Sequence, residues 1–428
     1  MIIGKQIYNF SKKIWPFNRS LTGEGVRKTL YEIKKHLPNL KVKSKPSGSK
    51  VFDWTVPKEW EVKAAYIIDP DGKKLCDFEK NNLHLVGYSI PYNGILKLEE
   101  LKKFLYSLPN QPNAIPYITS YYEKRWGFCI SHNQLKTLKK GNYKIYIKSK
   151  LFKGKLNYGE LIIPGKSKKE VFLSTYICHP SMANNELSGP SVLTFLAKWI
   201  QDLKKREFTY RIIFIPETIG SITYLSINHK EMKKNIFAGF NVTCVGDNRS
   251  YSYLPSRNGE TLSDNIAKHV LQWTDSNYKK YTWFDRGSDE RQYCAPGIDL
   301  PIASILRTKY GEYPEYHTSL DNLKNVVTAK GLDGGYHVIR KALELIENNK
   351  KYIVNVLAEP QMGKRKLYPT LSTKNKLEKN VNIMMDFLSM CDGKTSVLEI
   401  ANKLKLPSWD LYKIIEKLKF EKLIREYK

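Results

Sequence analysis

The sequence predicts an α/β protein: a mixed sheet flanked by helices, with an inserted mainly-β domain and a separate helical module at the C-terminal end. Three observations predict it. The apolar run Val171 to Ile177 is followed by a polar loop and then by apolar residues at helical spacing from Ser191 to Ile200. Short strand-like runs separated by turn residues precede this strand–loop–helix unit, and three short apolar helical segments close the chain.

Length and composition exclude several classes of protein. At 428 residues the chain is too long for one ordinary core, which suggests two or three domains. It has no run of about 18 apolar residues, and its N-terminal segment lacks a signal peptide's apolar region and small-residue cleavage site. The six cysteines are scattered without a C-x-x-C pair, which favours reduced core thiols. We therefore expect a cytoplasmic protein that does not span a membrane.

The formal net charge of +29 comes from lysines spread over nearly every segment, in pairs such as Lys12-Lys13 and Lys233-Lys234. Scattered lysine is usually a solvated surface, and no single basic tract dominates here. The charge also favours an acidic partner or substrate, so both interpretations stay open.

The first 160 residues show two different sequence patterns, one helical and one of short strands and turns. Residues 1–48 are predicted to be the N-terminal helical part of the α/β domain, because apolar residues such as Val26 and Leu30 recur at helical steps. Residues 49–160 are predicted to be the inserted mainly-β domain, with turns such as Pro70-Asp71-Gly72 between apolar runs. Its aromatic residues either line a substrate cleft or pack in a core; they include Trp54, Trp60, Trp126, Tyr117, Tyr121 and Tyr122.

The remaining chain is predicted to complete the α/β domain over residues 161–365 and to form a winged helix-turn-helix domain over 374–428. Helical segments at Val381–Leu388, Ser396–Leu404 and Ser408–Leu418 give the module its pattern. Such modules often bind DNA through the third helix. That helix carries lysine but no arginine, so nucleic-acid binding, a protein contact and a homo-oligomer interface all stay open.

Four candidate ligands or acid–base groups follow apolar runs or lie in polar loops, in the chain order His179, Glu217, Asp247 and His317. Loops at the carboxyl ends of strands form the usual site of an open α/β sheet. Imidazole and carboxylate are the ligands that a hydrolytic zinc site uses, with one position left open for water. The series therefore predicts a metal site; a set of ordinary loop residues is the alternative.

The motifs that carry these residues resemble the zinc exopeptidase superfamily, which includes bacterial leucine aminopeptidase and the glutaminyl cyclases. In this resemblance His179 matches the first ligand, Glu217 the general base, and Asp247 and His317 the last two ligands. The segment Ala183 to Gly189 matches the turn that holds two zinc ions together. A closer resemblance is to a bacterial family of aminopeptidase-like proteins, described as polysaccharide-biosynthesis proteins, with a C-terminal winged helix. It is carried by CHPSMANNELSGP, PETIGS, DNRSYSYLPSRNG, RGSDERQYCAPGIDLP and KYGEYPEYHTSLDNL.

Two departures from the superfamily pattern change the number of zinc ions that is expected. Asn185 occupies the position of the bridging aspartate, and an amide oxygen is a weaker zinc donor than a carboxylate. Thr218 occupies the position of the second glutamate. The resemblance therefore implies one zinc per chain rather than two, with the ligands drawn from His179, Asn185, Asp247 and His317, and with Glu186 as a further candidate.

Candidate substrate-binding residues lie between the last two proposed ligands. Arg257, Arg286 and Asp289 belong to SRNGETLSD and RGSDERQY, where clustered arginines suggest a clamp for a carboxylate or phosphate. Internal ion pairing with neighbouring acids is the alternative. Tyr316 adjoins His317 and is one of several tyrosines able to stabilise an oxyanion.

Two functions follow from these observations. The first is a zinc hydrolase of aminopeptidase type that acts on a peptide or other amide-bearing small substrate, with Glu217 as general base. The family's usual description associates such a substrate with polysaccharide or glycoconjugate biosynthesis. The second is a catalytically degenerate regulatory or scaffold protein that binds DNA or a protein through its winged helix.

Overall fold

The computed structural model describes residues 2–367 and 377–427, of which 377–380 by their backbone alone. The chain forms two compact units: the first consists of residues 1–264 and 278–337, and the second of 265–277 and 338–428. The predicted α/β fold class is confirmed by a large mixed sheet with helices packed on it.

The N-terminal segment and the insert contain these helices and strands: α1 (Ile2–Ile14), α2 (Glu24–His36), β1 (Lys41–Pro46), β2 (Lys50–Val51), β3 (Trp54–Thr55), β4 (Glu59–Ile68), β5 (Lys74–Leu75), β6 (Tyr92–Lys97), α3 (Leu98–Leu101), β7 (Leu105–Tyr106), β8 (Phe128–Cys129), α4 (His132–Lys136) and β9 (Asn142–Phe152).

The following part of the chain contains β10 (Lys155–Ile163), β11 (Ser167–Tyr176), α5 (Ser188–Asp202), β12 (Phe208–Ile215), α6 (Ile219–Asn235), β13 (Ile236–Asn241), β14 (Ser252–Leu254), α7 (Leu262–Gln272), β15 (Lys279–Lys280), α8 (Glu290–Tyr293), β16 (Ile302–Leu306) and α9 (Ala329–Asn348). The C-terminal part contains β17 (Lys351–Val354), α10 (Leu377–Ser389), β18 (Asp392–Ser396), α11 (Val397–Lys403), α12 (Asp410–Phe420) and β19 (Ile424–Tyr427).

The large sheet of the first unit has the strand order β1-β10-β12-β11-β13-β16-β14-β15. Its four central strands, β12, β11, β13 and β16, are parallel. Tyr176 pairs with Ile215, and Ser174 pairs with Asn241, so β11, β12 and β13 end at one edge of the sheet. The loops after these strands therefore meet at that edge, where open α/β sheets place their sites.

Burial of the central strands explains their apolar composition. All residues of β11 from Glu170 to Tyr176 are buried, as are those of β12 from Tyr210 to Ile215. Helices α5 and α6 pack against β11, and α1 and α2 pack against α5. Strands covered on both faces need apolar side chains at successive positions, which is the pattern that the sequence shows.

The insert forms a four-stranded sheet, β5-β4-β9-β6, and two smaller two-stranded sheets. Some of its large aromatic side chains are core residues: Trp60 stacks on Tyr88 with ring centroids 5.5 Å apart, and Trp126 is 7 % exposed. Trp54 and Tyr121 are exposed. Tyr122 is 53 % exposed and lies on the surface. The chain passes from the insert sheet to the large sheet between β9 and β10.

The second unit contains a three-stranded antiparallel sheet, β18-β17-β19, and the helices α10, α11 and α12. Ser396 caps α11 in a capping box with Glu399, whose carboxylate accepts from the Ser396 main chain at 2.7 Å. The helices pack around their own apolar core, which includes Phe387, Ile400 and Leu418. Among the described helices, none combines the length and the apolarity needed to cross a bilayer.

Candidate metal centre

His179 lies in the loop after β11, and its two ring nitrogens have different neighbours. The side chain is buried, at 4 % exposure. Nδ1 lies 3.0 Å from Oε2 of Glu186, and Nε2 lies 3.7 Å from Oε2 of Glu217. Burial opposes a charge on the ring, but the hydrogen bond and charge of Glu186 outweigh it and raise the pKa of His179. A carboxylate that accepts from Nδ1–H leaves the Nε2 lone pair free to act as a ligand.

Glu186 belongs to a buried π-helical turn, Ala183–Leu187, that precedes α5. Asp321 holds this turn: its side-chain oxygens accept from the main-chain N–H groups of Asn184 and Asn185 at 2.7 and 3.0 Å. Burial raises the pKa of Asp321 to about 6 despite these bonds. The motif ANNEL thus owes its shape to a residue more than a hundred positions away.

Only one of the two polar atoms in the Asn185 side chain has a hydrogen-bond partner among the described residues. Its Nδ2 donates to the hydroxyl of Tyr176 at 2.9 Å, and the same hydroxyl accepts from Thr243 at 2.6 Å. Its Oδ1 is buried and has no hydrogen-bond partner among the described residues. A buried carbonyl oxygen without a donor is unusual in proteins, and a bound water molecule or an ion would satisfy it.

His317 supplies a second imidazole ring beside that of His179. Its backbone has φ 54°, and its ring stacks on that of Tyr316 at 3.9 Å between centroids. The rings of His317 and His179 are 5.6 Å apart. Nε2 of His317 is buried without a partner in the described part of the chain. Burial and the nearby charge of His179 lower the pKa of His317 to about 3, so its ring is neutral.

Glu217 follows β12 and completes the cluster. Its Oε1 accepts a hydrogen bond from the hydroxyl of Ser288 at 2.7 Å, and its main-chain N–H donates to Sγ of Cys178 at 3.1 Å. Burial raises the pKa of Glu217, while the charge of His179 opposes that rise. A raised pKa is what a carboxylate needs to accept and return a proton near neutral pH.

Asp247 follows β13 but has other partners than the histidines. Its Oδ1 accepts from the main chain of Arg249 at 2.8 Å and from the hydroxyl of Thr308 at 2.7 Å. Its Oδ2 accepts from Nδ2 of Asn184 at 3.0 Å and from the main chain of Thr308 at 2.9 Å. Four donors therefore occupy both carboxylate oxygens. Through Asn184, Asp247 stabilises the turn at Ala183–Leu187.

Asp289 lies beside Glu217, at the start of α8. Its Oδ1 accepts from the main chain of Thr218 at 2.7 Å and from the hydroxyl of Ser221 at 2.8 Å. Its Oδ2 is buried without a partner among the described residues. Burial, followed by the charge of Glu217, raises the pKa of Asp289 to about 8. Thr218 has φ 62°, a strained conformation for a β-branched residue.

The two predicted anion-binding arginines have surface partners. Arg257 donates from Nε to Asp299 at 2.9 Å. Arg286 donates to the main-chain oxygen of Trp283 at 3.2 Å, and its guanidinium lies 4.8 Å from the centroid of that ring. The contact of Arg257 matches the alternative of internal ion pairing, and Arg286 contacts Trp283 instead of an acid. Tyr316 lies in the cluster because it stacks on His317.

Two residues of the cluster had only weak signals in the sequence. Tyr117 comes from the insert; its ring centroid is 5.2 Å from the rings of both His179 and His317, and its main-chain N–H donates to the His317 oxygen at 2.9 Å. Arg19 belongs to the NRSLTGEG turn before α2 and contacts Glu186. In the sequence Tyr117 is one of several aromatic residues of the insert, and Arg19 is one residue of a polar turn in the N-terminal segment.

The donors present fit a zinc ion of the kind that this fold implies. Cys178, His179 and Glu186 offer ligand atoms within 4.8 Å of one another. Burial holds the pKa of the Cys178 thiol well above its usual value, and Nδ1 of His179 is already bonded to Glu186, so this trio is a poor ligand set. A second candidate set is Nε2 of His179, Oδ1 of Asn185 and Nε2 of His317, because the last two atoms are buried without partners among the described residues.

Comparison with known proteins gives the same fold. A family model described as "Domain of unknown function (DUF4910)" matches residues 8–349, and one described as a winged helix-turn-helix matches residues 350–426. A protein of Clostridium acetobutylicum, described as a "Putative polysaccharide biosynthesis protein with aminopeptidase-like domain", is 44 % identical over 94 % of this chain and 91 % of its own length. The predicted winged helix and the predicted family resemblance are thereby confirmed.

Solved structures extend the comparison. A crystal structure from Clostridium acetobutylicum, described as a "putative peptidase", is 42 % identical, covers 99 % of this chain and 96 % of that chain, and has a TM-score of 0.92. BSAP, a zinc aminopeptidase from Bacillus subtilis, is 14 % identical, covers 80 % of this chain and 94 % of that chain, and has a TM-score of 0.57. The second likeness concerns the fold alone.

Proposed function

The chain belongs to the aminopeptidase-like family that these matches define, and from that premise we propose that it is a metal-dependent hydrolase of a peptide or amide bond. The observation that carries the proposal is the unpartnered Nε2 of His317, buried in the described part of the chain with its ring 5.6 Å from that of His179, whose own Nε2 lies 3.7 Å from Glu217. Oδ1 of Asn185, in the loop that follows His179, is also buried without a partner among the described residues. Buried polar atoms without partners are destabilising unless a ligand satisfies them.

We assign one zinc per chain to Nε2 of His179, Oδ1 of Asn185 and Nε2 of His317. Polarisation of a substrate carbonyl and activation of a water molecule are the chemistry that zinc supplies in such a site. Glu186 orients the ring of His179 by accepting from Nδ1–H. Asp247 stabilises the turn that presents Asn185, because it bonds the neighbouring Asn184 and the Thr308 segment.

Glu217 is the proposed general base. It takes a proton from the attacking water and returns it to the leaving amine, for which its raised pKa is suited. The Ser288 hydroxyl donates to Oε1 and leaves Oε2, on the side of His179, for this proton transfer.

Asp289 is the proposed site for a positively charged amine of the substrate. Its Oδ2 is buried and has no partner among the described residues. The next residue, Glu290, is also buried. An ammonium group placed there would pair with Asp289 and restore its ionised form. Because the Clostridium relative is described as a polysaccharide biosynthesis protein with an aminopeptidase-like domain, we include amide-bearing sugars and glycoconjugates, as well as aminoacyl compounds, in the substrate screen.

The test is the substitution Glu217→Gln, which keeps the size of the side chain and removes its basicity. We expect kcat on a substrate found by that screen to fall by about 10²- to 10⁴-fold, with zinc content and thermal stability close to the parent values. Thr223→Ala, at a buried hydroxyl of α6 that donates to the main-chain oxygen of Ile219, serves as the comparison for general disturbance of the region. Undiminished turnover by the Gln variant would show that the assigned mechanism is wrong.

A second function is favoured by the winged helix match and by the face of α12. Lys413, Lys417 and Lys419 are exposed on this helix, although Glu416 is exposed beside them. We propose weak, salt-sensitive binding of duplex DNA through this face. A gel-shift titration at two salt concentrations checks it, with Lys413→Glu and Lys417→Glu combined as the variant. Binding that is absent, or equal in the variant, contradicts this function.

A further inference from the structure

We propose that Arg19 is a positioning residue of the metal centre: it holds Glu186 and the His179 loop together, and so fixes His179 with Nε2 towards Glu217. That Nε2 faces a metal rests on the proposed function. The orientation of the ring is independent of that function, because the contacts of Nδ1 with Glu186 and of Nε2 with Glu217 show it directly.

Arg19 joins three separate segments of the chain. Its Nε donates to the main-chain oxygen of His179 at 3.0 Å and to Oε1 of Glu186 at 3.2 Å. Its Nη1 donates to the main-chain oxygen of Ile14, at the end of α1, at 2.6 Å. The single Nε–H is shared between the His179 main-chain oxygen and the Glu186 carboxylate, so both groups are held beside the same nitrogen, while Nη1 anchors the guanidinium to the end of α1.

The consequence for His179 follows from the second oxygen of Glu186. With Oε1 bonded to Arg19, Oε2 is directed to Nδ1 of His179 at 3.0 Å. The ring is therefore fixed at two points, by its own main chain and by Nδ1, and the proton-bearing nitrogen is Nδ1. Outer partners of this kind set the tautomer and orientation of histidines that bind metals.

A purely structural ion pair would look different, and the chain contains one for comparison. Arg211 is as buried as Arg19, at 4 % against 1 % exposure, but it meets Glu170 through two parallel bonds of 2.6 and 2.9 Å. Arg19 makes one bond to Glu186, and its Nη2 is buried without a partner among the described residues. Burying a charge with incomplete pairing destabilises a fold, which favours a positioning role over a stabilising one.

The experiment compares Arg19→Met, Arg19→Lys and the matched control Arg211→Met in the full chain. Zinc affinity is measured by competition with a chelating indicator. The tautomer of His179 is measured by NMR of protein labelled with ¹⁵N-histidine, without zinc and at a pH where the ring is neutral, with His179→Ala used to assign the signal. Thermal stability is recorded for every variant.

We expect both Arg19 variants to lower zinc affinity by about 10- to 100-fold and to shift the ¹⁵N signals of His179 from the pure Nδ1–H form. Arg211→Met is expected to lose thermal stability while zinc affinity and the His179 signals stay at parent values. Arg19→Lys retains the buried cation without the planar fork, so it keeps the test decisive if the Met variant does not fold.

Parent-like zinc affinity and parent-like His179 signals in a folded Arg19→Lys protein would overturn the proposal. Failure of the proposed function gives a different result. If the parent chain binds no zinc, the ¹⁵N signals of the zinc-free Lys variant still decide whether Arg19 fixes the ring.

Discussion

At the scale of single residues, the site is defined by which atoms already have partners. Glu186 and Asn185 are neighbours in the chain, yet the carboxylate is bonded to Arg19 and His179 while the amide oxygen is free. Charge alone would rank Glu186 as the better zinc ligand. In the proposed site, its existing bonds make Glu186 the residue that orients His179, and Oδ1 of Asn185 stays available as a zinc ligand.

The same reasoning gives a prediction for Asp247. Asp247→Asn replaces one of two acceptor oxygens by an amide group that cannot accept the bonds from Arg249 or Thr308. We expect a loss of about 1–3 kcal/mol in the free energy of unfolding, measured by urea denaturation, with a much smaller loss of zinc affinity than in a variant that lacks a ligand. His317→Ala is the comparison that should lose zinc. A similar loss of zinc in Asp247→Asn would make Asp247 a ligand.

At the scale of elements, the second unit contains a buried histidine that links two helices. Nδ1 of His269, on α7, lies 2.7 Å from Oδ1 of Asn402, and Nε2 accepts from the main-chain N–H of Ser408 at 3.0 Å. The ring must therefore be neutral, with the proton on Nδ1. Burial lowers its pKa, against the raising effect of Asn402.

His269 predicts an acid-sensitive unit. In the unfolded chain the ring takes up a proton near its ordinary pKa of about 6.5, whereas the folded ring stays neutral to lower pH. Stability is therefore complete above that pH and is lost as pH falls through the lowered folded value. Urea unfolding followed by circular dichroism at a series of pH values should show this loss.

The control for this prediction is His269→Gln, which retains a polar side chain of similar reach and does not titrate. We expect the variant to be less stable than the parent at neutral pH, because one bond to Asn402 or Ser408 is lost, and to depend less on pH below about 6.5. Equal pH dependence in both proteins would assign the acid sensitivity to other groups.

At the scale of the whole molecule, the two units have separate apolar cores, and all the proposed zinc ligands belong to the first unit. Zinc that binds only the folded form should raise the stability of that unit by about 4 kcal/mol when free zinc is a thousandfold above Kd. Calorimetry with and without a chelator should therefore move one transition. Zinc-independent melting of both units would contradict the proposed centre.

The sequence by itself determined the fold class, the buried strand β11 and the three helices of the winged module. Each of these leaves a local signal: buried strands such as β11 are continuous apolar runs, and Ser396 and Glu399 mark the start of α11 three residues apart. It also placed His179 and Glu217 at neighbouring strand ends, because parallel strands end at one edge.

Only the tertiary structure decided what each of these residues does. The bonds from Arg19 to Glu186, from Asp321 to the Asn185 turn and from Thr308 to Asp247 join residues that are 61 to 167 positions apart. No periodicity or spacing carries such pairings, since they depend on how loops from different strands pack. The pattern of residue types predicts where polar groups gather, and packing determines which of their atoms are already bonded and which stay open for a ligand.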